Sequence, residues 1–276
     1  MSKNELNSDE NIKLSVIFDY YKFCDEFHKK WYNNEFAKDS ILNDGTFQMD
    51  YSPEPYFVVK NGNNPLYVLL TNPGGGMAFQ HRENFDKSDY SNFQKKLIVE
   101  YTSDEFKRGG SRAYKRLQNS IVYSEDLGYN ALINIETIPF HSKNLVNKNE
   151  ALKAIKNSYS LTQYHTVLKN FLKDKPVLIV AGAYHGGPGS VGPEYSLSLS
   201  HLTANNWIKY QLDLAGINKD NLKMTPLQTH PDGKGKVTGA IFSDGIKHVH
   251  LFMGMNNLCS PKTSEYKKWK TALNQI

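Results

Sequence analysis

Four short apolar runs, each ending in a loop rich in Gly, Pro or Asn, set the tightest limit on how this chain can fold. They are Leu66–Leu70 before TNPGGG, Ala131–Ile135 before ETIPF, Val177–Val180 before AGAYHGGPG, and Leu222–Leu227 before QTHPDGKG. Runs this short, with little polar alternation, suit strands covered on both faces, as in a parallel sheet. The last run differs, because Pro226 offers no N–H to a ladder and suits an edge better than a centre. Helical spacing lies between the runs. Glu150 to Leu172 carries Leu152, Ile155, Tyr159, Leu168 and Phe171 on one side, and Ala204 to Leu214 is stopped by Gly216. The alternation predicts an α/β fold: a three-layer α/β/α sandwich around a central, mostly parallel sheet.

The flanking segments extend this plan. From Ile12, the residues Val16, Tyr20, Phe23, Phe27 and Trp31 form one helical stripe, most simply a core face. Residues 40–65 read as turns (NDGT, SPEP, NGNNP) around a short strand, Tyr56–Lys60. His248 to Met253 suggests an added edge strand, and Tyr266, Trp269 and Leu273 a closing helix. No linker divides the chain, so residues 1–276 are expected to form one domain with an N-terminal helical extension over about 12–37. The polar start, MSKNELNSDE, lacks an apolar signal core, and no run nears the roughly 20 apolar residues of a membrane helix. Two cysteines exclude a disulfide scaffold and a multi-cysteine zinc site. A cytoplasmic protein without membrane attachment is the expectation.

At the carboxyl ends of strands in open α/β sheets, ligands bind. The unusual residues cluster there. The three glycines of Thr71–Gly76 would let backbone approach an anion closely, although Pro73-Gly74 would make a tight turn anyway. A Walker loop is excluded because no G-K-[ST] follows, and the G-x-G-x-x-G spacing of a dinucleotide site is absent. Asn134 can offer a donor and an acceptor to one planar ligand edge, and Glu136 is a candidate general base; local capping would also explain either residue. His230, just before Pro231, is placed to donate to developing negative charge. Lys234 and Lys236 in GKGK, and Arg112 in RGGSRAYKR, are candidate phosphate contacts. The net charge of +5 permits such a partner without requiring one. His185, in HGGPGS, is a candidate substrate contact or a plain loop residue. His248 and His250, two apart, share a sheet face, but no third residue at metal-ligand spacing joins them.

Taken in order, LLTNPGG, LINIETIPF, VLIVAG and THPDG resemble the uracil-DNA glycosylase superfamily, across residues 66 to about 240. The resemblance implies a glycosylase-like sandwich, no cofactor or metal, DNA as the partner and no obligatory protein partner. It implies a monofunctional DNA N-glycosylase, which removes a flipped base and leaves an abasic site without strand scission. On that basis Asn72 would position the attacking water, His230 would hydrogen-bond the departing base and Asn134 would read its edge. Phe79 or Phe85 would stack on the base, and backbone at Gly74 and Gly75 with Lys234 or Lys236 would hold phosphates.

The chain departs from the family pattern at Leu70, where Gly is usual, and at Asp232, where Ser follows His-Pro. Lysines stand where an apolar wedge is common, with only Val237 apolar nearby. These departures point away from uracil in ordinary duplex DNA and toward a modified base, which Glu136 could contact or attack through water. DNA repair and defence against phage are both roles for such an enzyme. Two other readings stay open: an inactive nucleotide- or DNA-binding module with the same fold, and a hydrolase of free nucleotides using Glu136 and the Gly-rich loop.

Overall fold

A computed structural model of the chain describes residues 20, 22–60, 62–71, 80–84, 121–142, 148–180, 206–218, 220–228, 237–252, 267, 270 and 271. Its centre is a seven-stranded sheet. The strands are β1 (Tyr56–Lys60), β2 (Pro65–Leu70), β3 (Ala131–Glu136), β4 (Val177–Val180), β5 (Lys223–Gln228), β6 (Val237–Ser243) and β7 (His248–Phe252), in the order β1-β3-β2-β4-β7-β6-β5. The runs β3-β2, β2-β4 and β4-β7 pair in parallel. β1 on β3, β6 on β7 and β5 on β6 pair antiparallel. The sheet is therefore mixed, which corrects the expectation of a mostly parallel one. Hairpin-length connections around β6 allow antiparallel returns that need no crossover helix.

Two strands depart from the sequence reading. β7 is interior, between β4 and β6, and not an added edge. β6, VTGAIFS, was not foreseen, because Thr238 and Gly239 interrupt its apolar run. β5 does close one edge, where the missing N–H of Pro226 costs least.

Side chains alternate between two faces. Tyr67, Leu69, Ile133, Ile135, Val177, Ile179, Phe242, Val249 and Leu251 enter the larger core. Leu66, Val68, Leu132, Leu178 and Ile241 enter a smaller one with Tyr123, from helical residues 121–126. The larger core is covered by α1 (helical residues 22–32), α3 (Lys148–Asn157), α4 (Tyr159–Leu172) and α5 (Asn206–Leu214), while residues 121–126 form α2 on the other face.

The foreseen helix over Glu150–Leu172 is two helices. Ser158 is extended between them and its hydroxyl accepts from Leu161 N–H at 3.1 Å, an N-cap that starts α4. Tyr159, assigned to the buried stripe by one continuous helical count, is instead exposed. Gly216 ends the turn after α5 at φ +73, where a Cβ would stand 2.9 Å from Lys173 Cα. The closing helix is described only at Lys267, Lys270 and Thr271.

α1 is integral to the core. Tyr20, Cys24, Phe27 and Trp31 are buried, and Val16 lies outside the described residues. Tyr20 stacks on Phe171 at 4.6 Å, and Phe27 meets Phe36, Phe140 and Tyr164. Such ring pairs add roughly 0.5–1.5 kcal/mol each beyond the area they bury. The Tyr20 and Tyr164 hydroxyls are 2.8 Å apart, and Tyr164 donates to Glu136 O at 2.7 Å. The N-terminal helix thus bears on the end of β3 through Tyr164 of α4.

Candidate functional site

β5 runs antiparallel to β6, and β6 antiparallel to β7, so β5 shares the direction of the parallel set. The ends of β2, β3, β4, β5 and β7 consequently lie on one edge of the sheet. Register ties them into a row: Leu70 opposite Glu136, Val180 opposite Phe252, Phe252 opposite Gly239, and Gly239 opposite Leu227. The chain leaves for TNPGGG, TIPFH, AGAYHGG and THPDGKGK from this edge.

Spacing along the row is uneven for the residues proposed above. Glu136 is one strand from Leu70, whereas the end of β5 is four strands from β2, about 19 Å at a spacing of about 4.8 Å. THPDGKGK is moreover the connection of the β5–β6 hairpin and does not follow a strand of the parallel set.

Of the residues read from the sequence, Asn134 and Glu136 are described. They sit two apart on β3, on the face of Leu132 and Val68. Asn134 is 8% exposed, and its Oδ1 is buried with no hydrogen-bond partner among the described residues. An unspent buried amide oxygen costs about 1–3 kcal/mol, a cost that suits a group held ready for a ligand. One carboxylate oxygen of Glu136 is also buried, and its backbone is held by Glu136 N–H donating to Pro55 O at 3.2 Å. Asn72, Gly74, Gly75, Phe79, Phe85, Arg112, His185, His230, Lys234 and Lys236 lie outside the described residues.

The flanks of the Gly-rich stretch are fixed on both sides. Ile138 N–H donates to Thr71 O at 2.8 Å, and the Thr137 hydroxyl to Leu70 O at 2.6 Å. On the return, Ser52 N–H donates to Gln80 O, and Arg82 N–H to Asp50 O. Arg82 then stacks over Trp31 and donates to Met49 O at 3.1 Å, which fastens this return to α1. His165 Nε2 lies 2.5 Å from Thr137 O, and Gln211 Nε2 donates to Thr137 Oγ1 at 3.4 Å, so α4 and α5 brace the same strand end. Burial lowers the His165 imidazole to about 4, and the Thr137 carbonyl only partly offsets it.

Sequence reasoning missed Glu54, Gln80 and His141. Glu54 is 4% exposed, and its Oε1 accepts from Gln80 Nε2 and stands 3.3 Å from His141 Nε2. SPEP reads as a turn, and the one signal at Glu54 is the following Pro55, whose ring disfavours the helical region for the residue before it. His248 and His250 do share a face, as alternation requires. His250 is lowered to about 4 by burial and then by the charge of His248, and no cluster of three metal-ligating residues occurs among the described residues. No described helix is long and apolar enough to cross a membrane.

The arrangement places the buried Asn134 amide and the Glu136 carboxylate two apart on β3, one strand from the Gly-rich exit. Comparison with protein-family models, curated proteins and solved structures finds no match to this chain.

Proposed function

We propose that this protein is a monofunctional DNA N-glycosylase acting on a flipped, modified base, with a fold like that of the uracil-DNA glycosylases. The supporting observation is the unspent Oδ1 of Asn134, buried on the strand beside the exit to TNPGGG. A donor on a base edge would satisfy it. In the reaction, water adds to the anomeric carbon while the carbon–nitrogen bond breaks. The bond's electron pair leaves on the base, which finally carries the proton given up by water. Asn72 and Glu136 act at the water and His230 at the anionic base.

The test is incubation with oligonucleotides carrying uracil, hypoxanthine, or hydroxymethylated or glucosylated cytosine, followed by alkali. Strand breaks at a modified base, reduced at least a hundredfold by Asn72→Ala or His230→Ala, are expected. No break on any of these substrates overturns the assignment.

The distance along the edge favours one other reading. With β5 about four strands from β2, Glu136 and the Gly-rich stretch could act on a free nucleotide without His230. Chromatography of nucleoside monophosphates after incubation separates the two: release of free base that survives His230→Ala and stops with Glu136→Gln supports this second reading.

A further inference from the structure

Residues 48–54 lie between two segments that both border the candidate site. Gln48 N–H donates to His141 O and Glu54 N–H to Pro139 O, each at 2.8 Å, on the side that follows β3. Ser52 N–H donates to Gln80 O, also at 2.8 Å, on the return from the Gly-rich stretch. The Glu54 side chain repeats this bridge. One carboxylate oxygen meets both the Gln80 amide and the His141 imidazole. Tyr51 adds ring contacts to His81 at 5.2 Å and His141 at 6.0 Å.

A purely mechanical splint would not need the charge. Gln80 and His141 are 0% and 2% exposed, and removing a carboxylate from water costs several kcal/mol unless it is paired. A glutamine would span the same gap and accept from the Gln80 amide without that cost. A carboxylate, unlike a glutamine amide, presents an acceptor to both Gln80 and His141 whichever way it turns, so one oxygen meets both.

We propose that Glu54 is a positioning residue for the strand-edge site, pairing with His141 and holding Gln80 so that the segments after β2 and β3 keep one relative placement. It acts through these partners and not on the substrate. The proposal rests on the glycosylase reading for its activity readout and on backbone protection for an independent one.

In the excision assay, Glu54→Gln is expected to lower kcat at least tenfold with KM changed less than threefold, and Glu54→Asp to recover part of the loss. Wild-type kcat in Glu54→Gln, or a raised KM with kcat intact, overturns the proposal. If Glu54→Gln does not fold, Gln80→Ala must show the same kcat loss, and wild-type kcat there overturns it equally. If the wild-type protein excises nothing, the glycosylase reading fails and hydrogen exchange decides. The Ser52 and Glu54 amides should then exchange at least tenfold faster in Gln80→Ala, with the β2 and β4 amides unchanged. Unchanged exchange at Ser52 and Glu54 overturns the positioning role.

Discussion

Asn134 stands opposite Val68 on one side and Phe57 on the other, and its Oδ1 accepts nothing among the described residues. Leucine has a similar shape and would enter the surroundings of Leu132 and Val68 without an orphaned acceptor. Asn134→Leu should therefore raise stability by about 1 kcal/mol in urea denaturation, because the desolvation cost disappears with the amide. The same variant should lose excision. A residue that serves only the fold would lose stability on this change. Cys24 offers the opposite case: it is fully buried, and burial pushes its thiol well above the usual range, so it is inert packing.

At the level of elements, the start of α4 carries more than a cap. The Ser158 hydroxyl donates to Asp39 Oδ2 at 2.7 Å while accepting from Leu161 N–H, and Ser160 N–H donates to the same Asp39 oxygen at 3.2 Å. Asp39, at the end of the 3-10 turn Glu35–Lys38, thus docks the α1 region onto α4. Ser158→Ala should cost about 1–2 kcal/mol in thermal or chemical unfolding. Combined with Asp39→Ala, it should cost less than the two single changes added together, since both remove one bond. Continuous apolar runs made β1, β2, β3 and β4 legible in the sequence within a residue or so. β6 was illegible because its pairing, not its composition, makes it a strand, and the break at Ser158 was hidden by apolar spacing that continues in phase across it. In the site, Asn134 and Glu136 were readable as polar residues closing an apolar run. Glu54 was not, because its importance comes from Gln80 and His141, which are 26 and 87 positions away in the chain.

At the scale of the whole molecule, three largely buried imidazoles among the described residues weaken the fold in acid. His28, His165 and His250 are each lowered to about 4, chiefly by burial. Each folded-state value lies below the unfolded value near 6.5, so between about 4 and 6.5 the unfolded chain binds more protons. Stability is thus fully present above pH 6.5 and falls as pH drops through this window, by up to about 3 kcal/mol per histidine. Melting temperatures measured from pH 7.5 to 4 should show the fall, and His165→Gln should make it shallower. The sheet order bears on a different process, synthesis on the ribosome. β7, completed only at Phe252, fills the place between β4 and β6, whereas β1 to β4 are finished by Val180. Until then β4 has, among the described strands, only β2 beside it and presents a bare row of backbone groups, the kind of edge that recruits other chains. A nascent chain stopped at Ser243 is therefore expected to be insoluble and to engage chaperones, in contrast to the full chain. The last of the described strands to be made is the one that fills the gap between β4 and β6.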